Sequence, residues 1–157
     1  MDFKYSVLPN LLEFLFKYGI NKTTNFDLKD IADDLGINIK VLMRDELNND
    51  NSLTSSNSSE TLENYIIMTL EPSKDKGSHC IALSKKHNIY FDPYGILPTK
   101  EVYSFLKEGF KYNKIQLQTS DELCGQLSLY VLYCLDEGFE FEYTLSSVFT
   151  RIYFTRF

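Results

Sequence analysis

Tryptophan is absent, and sulfur and imidazole are scarce: the 157 residues include 3 Cys and 2 His. Cysteines at 80, 124 and 134 are too few for a disulfide framework and contain no CxxC pair, which excludes a stapled scaffold and a zinc ribbon. Two histidines supply too few ligands for a metal cluster, so neither metal nor cofactor is expected. Long apolar runs are also missing. Nothing reaches transmembrane length, and Met1–Ile20 lacks the basic start, unbroken apolar stretch and small-residue cleavage site of a signal peptide. The expectation is an intracellular, reducing setting without a membrane partner, where a thiol persists. Basic charge is in deficit, with 16 Lys and Arg against 22 Asp and Glu, a net charge of −6 and a pI near 4.9. Such a balance argues against a phosphate-neutralising surface and against nucleic acid as the default partner.

What is present is ordinary for a globular chain: 43% hydrophobic and 24% charged residues, with aromatic packing left to 11 Tyr and 12 Phe. The length suits one domain over 1–157. Residues 8–18 have helical patterning, with Pro9 in the first turn and Gly19 just past the end. Residues 24–36 predict a second helix, capped by Asn25 or Asp27 and ended by Gly36, with Leu28, Ile31, Ala32 and Leu35 as its buried stripe. Alone, that helix resembles the first half of a helix-turn-helix. Asp27, Asp30, Asp33 and Asp34 give it the wrong charge for DNA. Residues 48–61 are a polar, low-complexity run, expected to be a mobile loop within the domain.

Strand signals follow at 64–70, 79–84 and 89–91, with a hairpin loop at Lys85–Asn88 and a strong turn at Asp92-Pro93-Tyr94-Gly95. A helix is predicted from Pro98 to about Gly109, with Val102, Phe105 and Leu106 on its inner side, then a fourth strand over 112–118. The tail at 143–157 is aromatic and β-branched and fits a short helix, an edge strand or both; its aromatics suit packing or a docking edge. The class expected is α+β, a mostly antiparallel sheet packed on a buried helix that starts at Cys124.

That helix carries the chemistry. Leu127, Tyr130, Val131, Cys134 and Leu135 follow helical spacing, and Gly138 is a fitting stop. Cys124 therefore lies at a helix amino end, where orphan N–H groups and the dipole favour a thiolate. Acyl transfer by a thiol also needs a base, a group that orients the base, and oxyanion donors. His79 starts a strand, and Asp92 ends the next one, within reach across a hairpin. Gln118, six residues before Cys124, can curl its amide toward the same pocket, although Gln116 shares its strand face and is a rival. The second donor is the backbone N–H of Cys124 or Gly125, and Gly125 allows a substrate backbone to approach closely. Blander roles fit the others: Cys134 as core, Cys80 as core on the sheet face away from His79, His87 as a solvated turn residue. Arg44, Asp45 and Glu46 form a surface charge cluster or, for Arg44, a buttressing salt bridge.

Taken in order, Gly77-Ser78-His79-x-Ile81-Ala82-Leu83, Ile89-Tyr90-Phe91-Asp92-Pro93-Tyr94-Gly95 and Tyr112-Asn113…Gln118-x5-Cys124-Gly125 resemble the adenovirus-type maturation proteases. The likeness is greatest to the versions in virophages, large DNA viruses and Maverick/Polinton elements. It is more distant to proteases that deconjugate ubiquitin-like modifiers. Met43-Arg44-Asp45-Glu46-Leu47 and Leu97-Pro98-Thr99-Lys100-Glu101-Val102 extend it, so that about residues 24–137 are covered.

The resemblance implies a papain-like cysteine protease core in permuted order, His–Asp–Gln–Cys, with His79 as base, Asp92 as its orienting carboxylate, Gln118 as oxyanion donor and Cys124 as nucleophile. It also implies viral capsid precursors as substrates, cut in extended segments after glycine, and action in the virion and host cytoplasm. The acidity of the chain weighs against the DNA cofactor used by the adenovirus enzyme. Cys80 replaces the Trp usual after the family histidine, and Thr69 stands where Asn is common. Two alternatives remain, a protease for ubiquitin-like modifiers and a non-catalytic module that holds an extended peptide.

Overall fold

The computed structural model describes residues 8–19, 25–47, 65–69, 79–117 and 123–155. The expected loop at 48–61 and Gln118 lie outside these residues. Asn10 caps the first helix, α1 (Leu11–Tyr18), by accepting from Glu13 N at 3.1 Å. Pro9 thus stands ahead of the cap and not in the first turn, because Asn10 is the better acceptor of orphan N–H groups. Helix α2 (Asn25–Leu35) runs to Gly36, whose φ of +74° is the left-handed conformation that ends a helix cheaply only at glycine.

Strand β1 (Ile39–Met43), unannounced by any period-two pattern, leads into a 3₁₀ turn at Arg44–Glu46. It is followed by β2 (Tyr65–Thr69), β3 (Cys80–Ser84) and β4 (Ile89–Phe91), each buried along its whole length. Helix α3 is shorter than expected (Lys100–Phe105), and Leu106, already extended, closes it. Strand β5 is only Lys111–Tyr112, and two helices complete the fold, α4 (Cys124–Asp136) and α5 (Phe141–Thr155). The tail is therefore helical as far as Thr155.

The five strands lie in the order β1-β2-β3-β4-β5. β1 pairs with β2, and β4 with β5, in parallel; the two central pairings are antiparallel. The sheet is mixed rather than mostly antiparallel because only its middle is built from hairpin-type connections, while both edge strands arrive by crossovers. Alternation sorts the side chains. Ile39, Tyr65, Ile67, Cys80, Ala82 and Phe91 share a core with α1, α2, α4 and α5. Leu42, Ile66, Met68, Ile81, Leu83 and Tyr90 share the other with α3. Helix α4 packs on β3 and is buried along nearly its whole length. Tyr130 ties it to the amino end of α1 by donating to Pro9 O at 2.5 Å.

The strand expected at 112–118 stops at Tyr112 because the chain is captured by the turn after β4. Leu117 N donates to Pro93 O at 2.7 Å, and Asn113 bonds the backbone of Asp92. Gly95, at φ +69°, lets this segment lie flat: a Cβ there would stand 2.9 Å from Ile115 C. Arg44 reaches across to Glu101 (Nε to Oε2, 3.1 Å), so the charge cluster after β1 does buttress α3. None of the described helices is long and apolar enough to cross a membrane.

Two substitutions separate core packing from turn docking. Leu83→Ala, at a fully buried position, should cost about 2–5 kcal/mol in denaturant unfolding. Gly95→Ala should also destabilise, by more than about 1 kcal/mol, since both its φ and its contact with backbone oppose a side chain.

Candidate active site

The antiparallel β3–β4 pairing sets Ala82 against Phe91. Continuing that register puts Asp92 opposite Ile81, two residues from His79, a diagonal distance that an imidazole and a carboxylate can close. They do: His79 Nε2–H donates to Asp92 Oδ1 at 2.5 Å, with His79 8% and Asp92 0% exposed. A carboxylate taken this far from water must have its lone pairs filled. Tyr94 N donates to Oδ1 at 2.7 Å and the Tyr90 hydroxyl to Oδ2 at 3.2 Å. Burial pushes the Tyr90 phenol pKa up, which keeps it a donor.

The Asp92 backbone is held as firmly as its side chain. Asn113, itself buried, accepts from Asp92 N at 2.9 Å and donates to Asp92 O at 2.5 Å and Ile115 O at 3.2 Å. The Tyr94 ring lies tilted over the imidazole with centroids 4.5 Å apart, a wall supplied from the turn.

Cys124 opens α4 and is 3% exposed. The residue before it, Leu123, has no side-chain acceptor to cap the helix, and the first turn carries no acidic residue. The helix end therefore keeps its positive character next to the sulfur. Cys80 N donates to Cys124 Sγ at 3.2 Å. The thiol of Cys80 also hydrogen-bonds Cys124, and this bond contributes most to lowering the Cys124 pKa to about 5. Burial opposes that shift, while His79 and the Cys80 N–H add to it. On His79 burial disfavours the charged form, but Asp92 and Cys124 outweigh it and raise the imidazole to about 9. Both shifts run in the direction that favours the charged forms, thiolate on Cys124 and imidazolium on His79. Asp92 occupies Nε2, and Nδ1 is buried without a hydrogen-bonding partner, which leaves it as the nitrogen available to a reacting group.

The structure thus brings together three of the four expected side chains: Cys124, His79 and Asp92. Gln118, the fourth, lies outside the described residues, and its rival Gln116 is exposed. Two expectations are corrected. Cys80 does not turn away from the histidine. It lies on the α4 face of β3, in one core with Cys124, because alternation along Cys80–Ser84 assigns that face to residues 80 and 82. His87 is half-buried in its turn rather than fully solvated. It stacks on the Tyr65 ring at 6.0 Å, and burial lowers its pKa. Tyr65 donates in turn to Asp136 at 2.9 Å, joining the hairpin to the end of α4.

Cys134 is core, as expected, with burial pushing its thiol up to about 12. Thr69 donates to Met43 Sδ at 2.8 Å and so links β2 to β1. Asn113 and Tyr94 carry no assigned role in the sequence and Cys80 only that of core; of the three, Tyr94 alone is placed near the site by sequence, since it lies within the Asp92–Gly95 turn. A groove of about 400 Å³, lined in part by Ile115, Leu117 and Phe149, lies beside α5 and includes none of the three reactive side chains. Among the described residues no His, Cys, Asp and Glu side chains gather to hold a metal ion.

Comparison with protein families, with characterised proteins and with solved structures finds no match. The site is accordingly defined by its own geometry.

The pKa directions set a labelling profile. Thiolate grows as pH rises through the folded pKa, so iodoacetamide should modify Cys124 at half its plateau rate near pH 5 and at a flat rate above pH 6 to 7. Cys134 should stay unmodified until the protein is denatured. A Cys124 profile that rises only above pH 8, followed by mass spectrometry, would mean an ordinary thiol.

Proposed function

We propose that the chain is a cysteine endopeptidase, a thiol protease that processes viral structural precursors on a papain-like core in permuted order. One observation carries the reading: a thiolate-favouring cysteine at a helix tip beside an imidazole whose far nitrogen is held by a buried carboxylate. Structural ion pairs also perturb pKa values. Here, however, the three groups fill the nucleophile, base and orienting roles that thiol acyl transfer requires. Retention of all these polar groups speaks against a module that only holds peptide.

In this mechanism Cys124 Sγ attacks the scissile carbonyl carbon, and the carbonyl electrons move to oxygen. The N–H at the start of α4 and the Gln118 amide receive the oxyanion. His79 passes its Nδ1 proton to the leaving amine as the C–N bond breaks, which leaves an acyl-enzyme thioester. Water, deprotonated by the now neutral imidazole, attacks the thioester, the C–S bond breaks, and the acid leaves with the thiolate and imidazolium restored. Asp92 keeps Nε2 protonated throughout, so Nδ1 is the nitrogen that shuttles. The substrate class, precursors cut in extended segments after glycine, comes from the sequence resemblance. So does the location in the virion and host cytoplasm. No DNA partner is included, given the charge of −6.

The test is incubation of wild type and Cys124→Ala with candidate capsid precursors and, in parallel, modifier-linked substrates, with new termini mapped by mass spectrometry. Cleavage of the precursors by wild type alone is expected. Cleavage confined to the modifier linkage transfers the reading to a deconjugating protease, and turnover of no peptide ends it. Within an active enzyme, Gln118→Ala should lower kcat by about 10²–10³ and Gln116→Ala by little. The reverse pattern would assign the oxyanion to Gln116.

A further inference from the structure

The mechanism uses Cys124 and leaves Cys80 only as a hydrogen-bond donor, yet the two sulfurs are neighbours across the α4–β3 contact. Cys80 N lies 3.2 Å from Cys124 Sγ, the Cys80 thiol bonds the same sulfur, and both residues belong to one core cluster. None of the three cysteines is in a disulfide. We infer that Cys80 and Cys124 form a reversible thiol–disulfide modification site, in which Cys80 resolves oxidation of Cys124.

The chemistry balances with a hydroperoxide as the oxidant. The Cys124 thiolate attacks the peroxide oxygen, the O–O bond breaks, hydroxide leaves, and sulfur is oxidised by two electrons to sulfenic acid. The Cys80 sulfur then attacks that sulfur. The S–S bond forms, the S–O bond breaks, and the hydroxyl leaves as water with the Cys80 proton. A dithiol returns both thiols by exchange through a mixed disulfide. Position favours this outcome over deeper oxidation. The two residues are 3% and 7% exposed, so a small peroxide has access while a second bulky thiol is hindered. Cys134 does not compete, since burial holds it protonated well inside α4.

This inference rests on the reading of Cys124 as an activated thiol, but its readout is a covalent mass and needs no peptidase substrate. The reduced protein is treated with stoichiometric hydrogen peroxide, blocked with N-ethylmaleimide and digested. Trypsin leaves Cys124 and Cys134 on one peptide, so a chymotryptic cut at Tyr130 or Tyr133 is added to separate them. The expected product is a Cys80–Cys124 crosslink, lighter by two hydrogens, with Cys134 alkylated. Labelling of Cys124 should fall by more than about tenfold and recover with dithiothreitol.

Cys80→Ala should lose the crosslink and, when a second equivalent of peroxide is added, accumulate Cys124 sulfinic acid, which dithiothreitol does not reverse. In wild type, sulfinic acid at Cys124 with Cys80 alkylated, a crosslink to Cys134, or no oxidation at all would overturn the inference. Peptidase activity measured on the same reduced sample reports separately on the proposed function.

Discussion

The buried carboxylate of Asp92 is the constraint on which the site depends. A charge at 0% exposure survives only if its neighbours turn donors toward it, and those donors come from three pieces of chain. His79 comes from the lead-in to β3, Tyr90 from β4 and the Tyr94 N–H from the following turn, while Asn113, from the segment beyond β5, holds the Asp92 backbone. Satisfying that one residue therefore fixes the hairpin, the turn and the segment that follows β5. The imidazole is positioned as a by-product of solvating the carboxylate.

Helix α4 supplies the other half. It packs on β3 and is buried nearly throughout, so its tip has little freedom to move relative to the strand that carries His79 and Cys80. A sulfur there meets three stabilising features at once: the Cys80 thiol and N–H, the imidazolium, and an uncapped helix start. Desolvation works against all of them and loses. The packing that buries the thiol is also what brings its stabilisers within range.

Much of this is legible in the sequence. The helical period after Cys124 with Gly138 as stop, the Asp92–Gly95 turn, and the hairpin closed at Asn88 with φ +55° are local signals with local causes. His79 and Asp92 could be paired because a hairpin has few possible registers. What was not legible depended on long-range partners. β1 is recognised only by its parallel bond to β2, and a crossover leaves no mark in Ile39–Met43 itself. The segment 112–118 has strand composition, but Asn113 and Gly95 divert it onto the turn. The facing of Cys80 was missed for a related reason. Being next to His79 in sequence suggests an opposite side, whereas His79 stands just outside the strand and alternation starts only at Cys80.

The pKa shift of Cys124 invites a simple explanation that the magnitudes do not support. Lowering a thiol from 9.0 to about 5 raises the thiolate fraction at pH 7 about a hundredfold. The same shift makes the sulfur a weaker nucleophile: with a Brønsted slope near 0.4–0.5, four units cost about 40- to 100-fold. The two effects nearly cancel, so attack on a carbonyl gains little from the shift alone. What the ion pair adds is the proton. An isolated imidazole with a pKa of 6.5 is mostly neutral at pH 7, whereas His79, raised to about 9, is charged while the thiolate beside it is also formed. In the proposed reaction, nucleophile and acid then coexist before attack, and the acid is already in place when the amine must leave. On this view Asp92 and Cys80 act on opposite ends of one proton transfer, and the advantage of the arrangement lies in leaving-group protonation more than in sulfur reactivity.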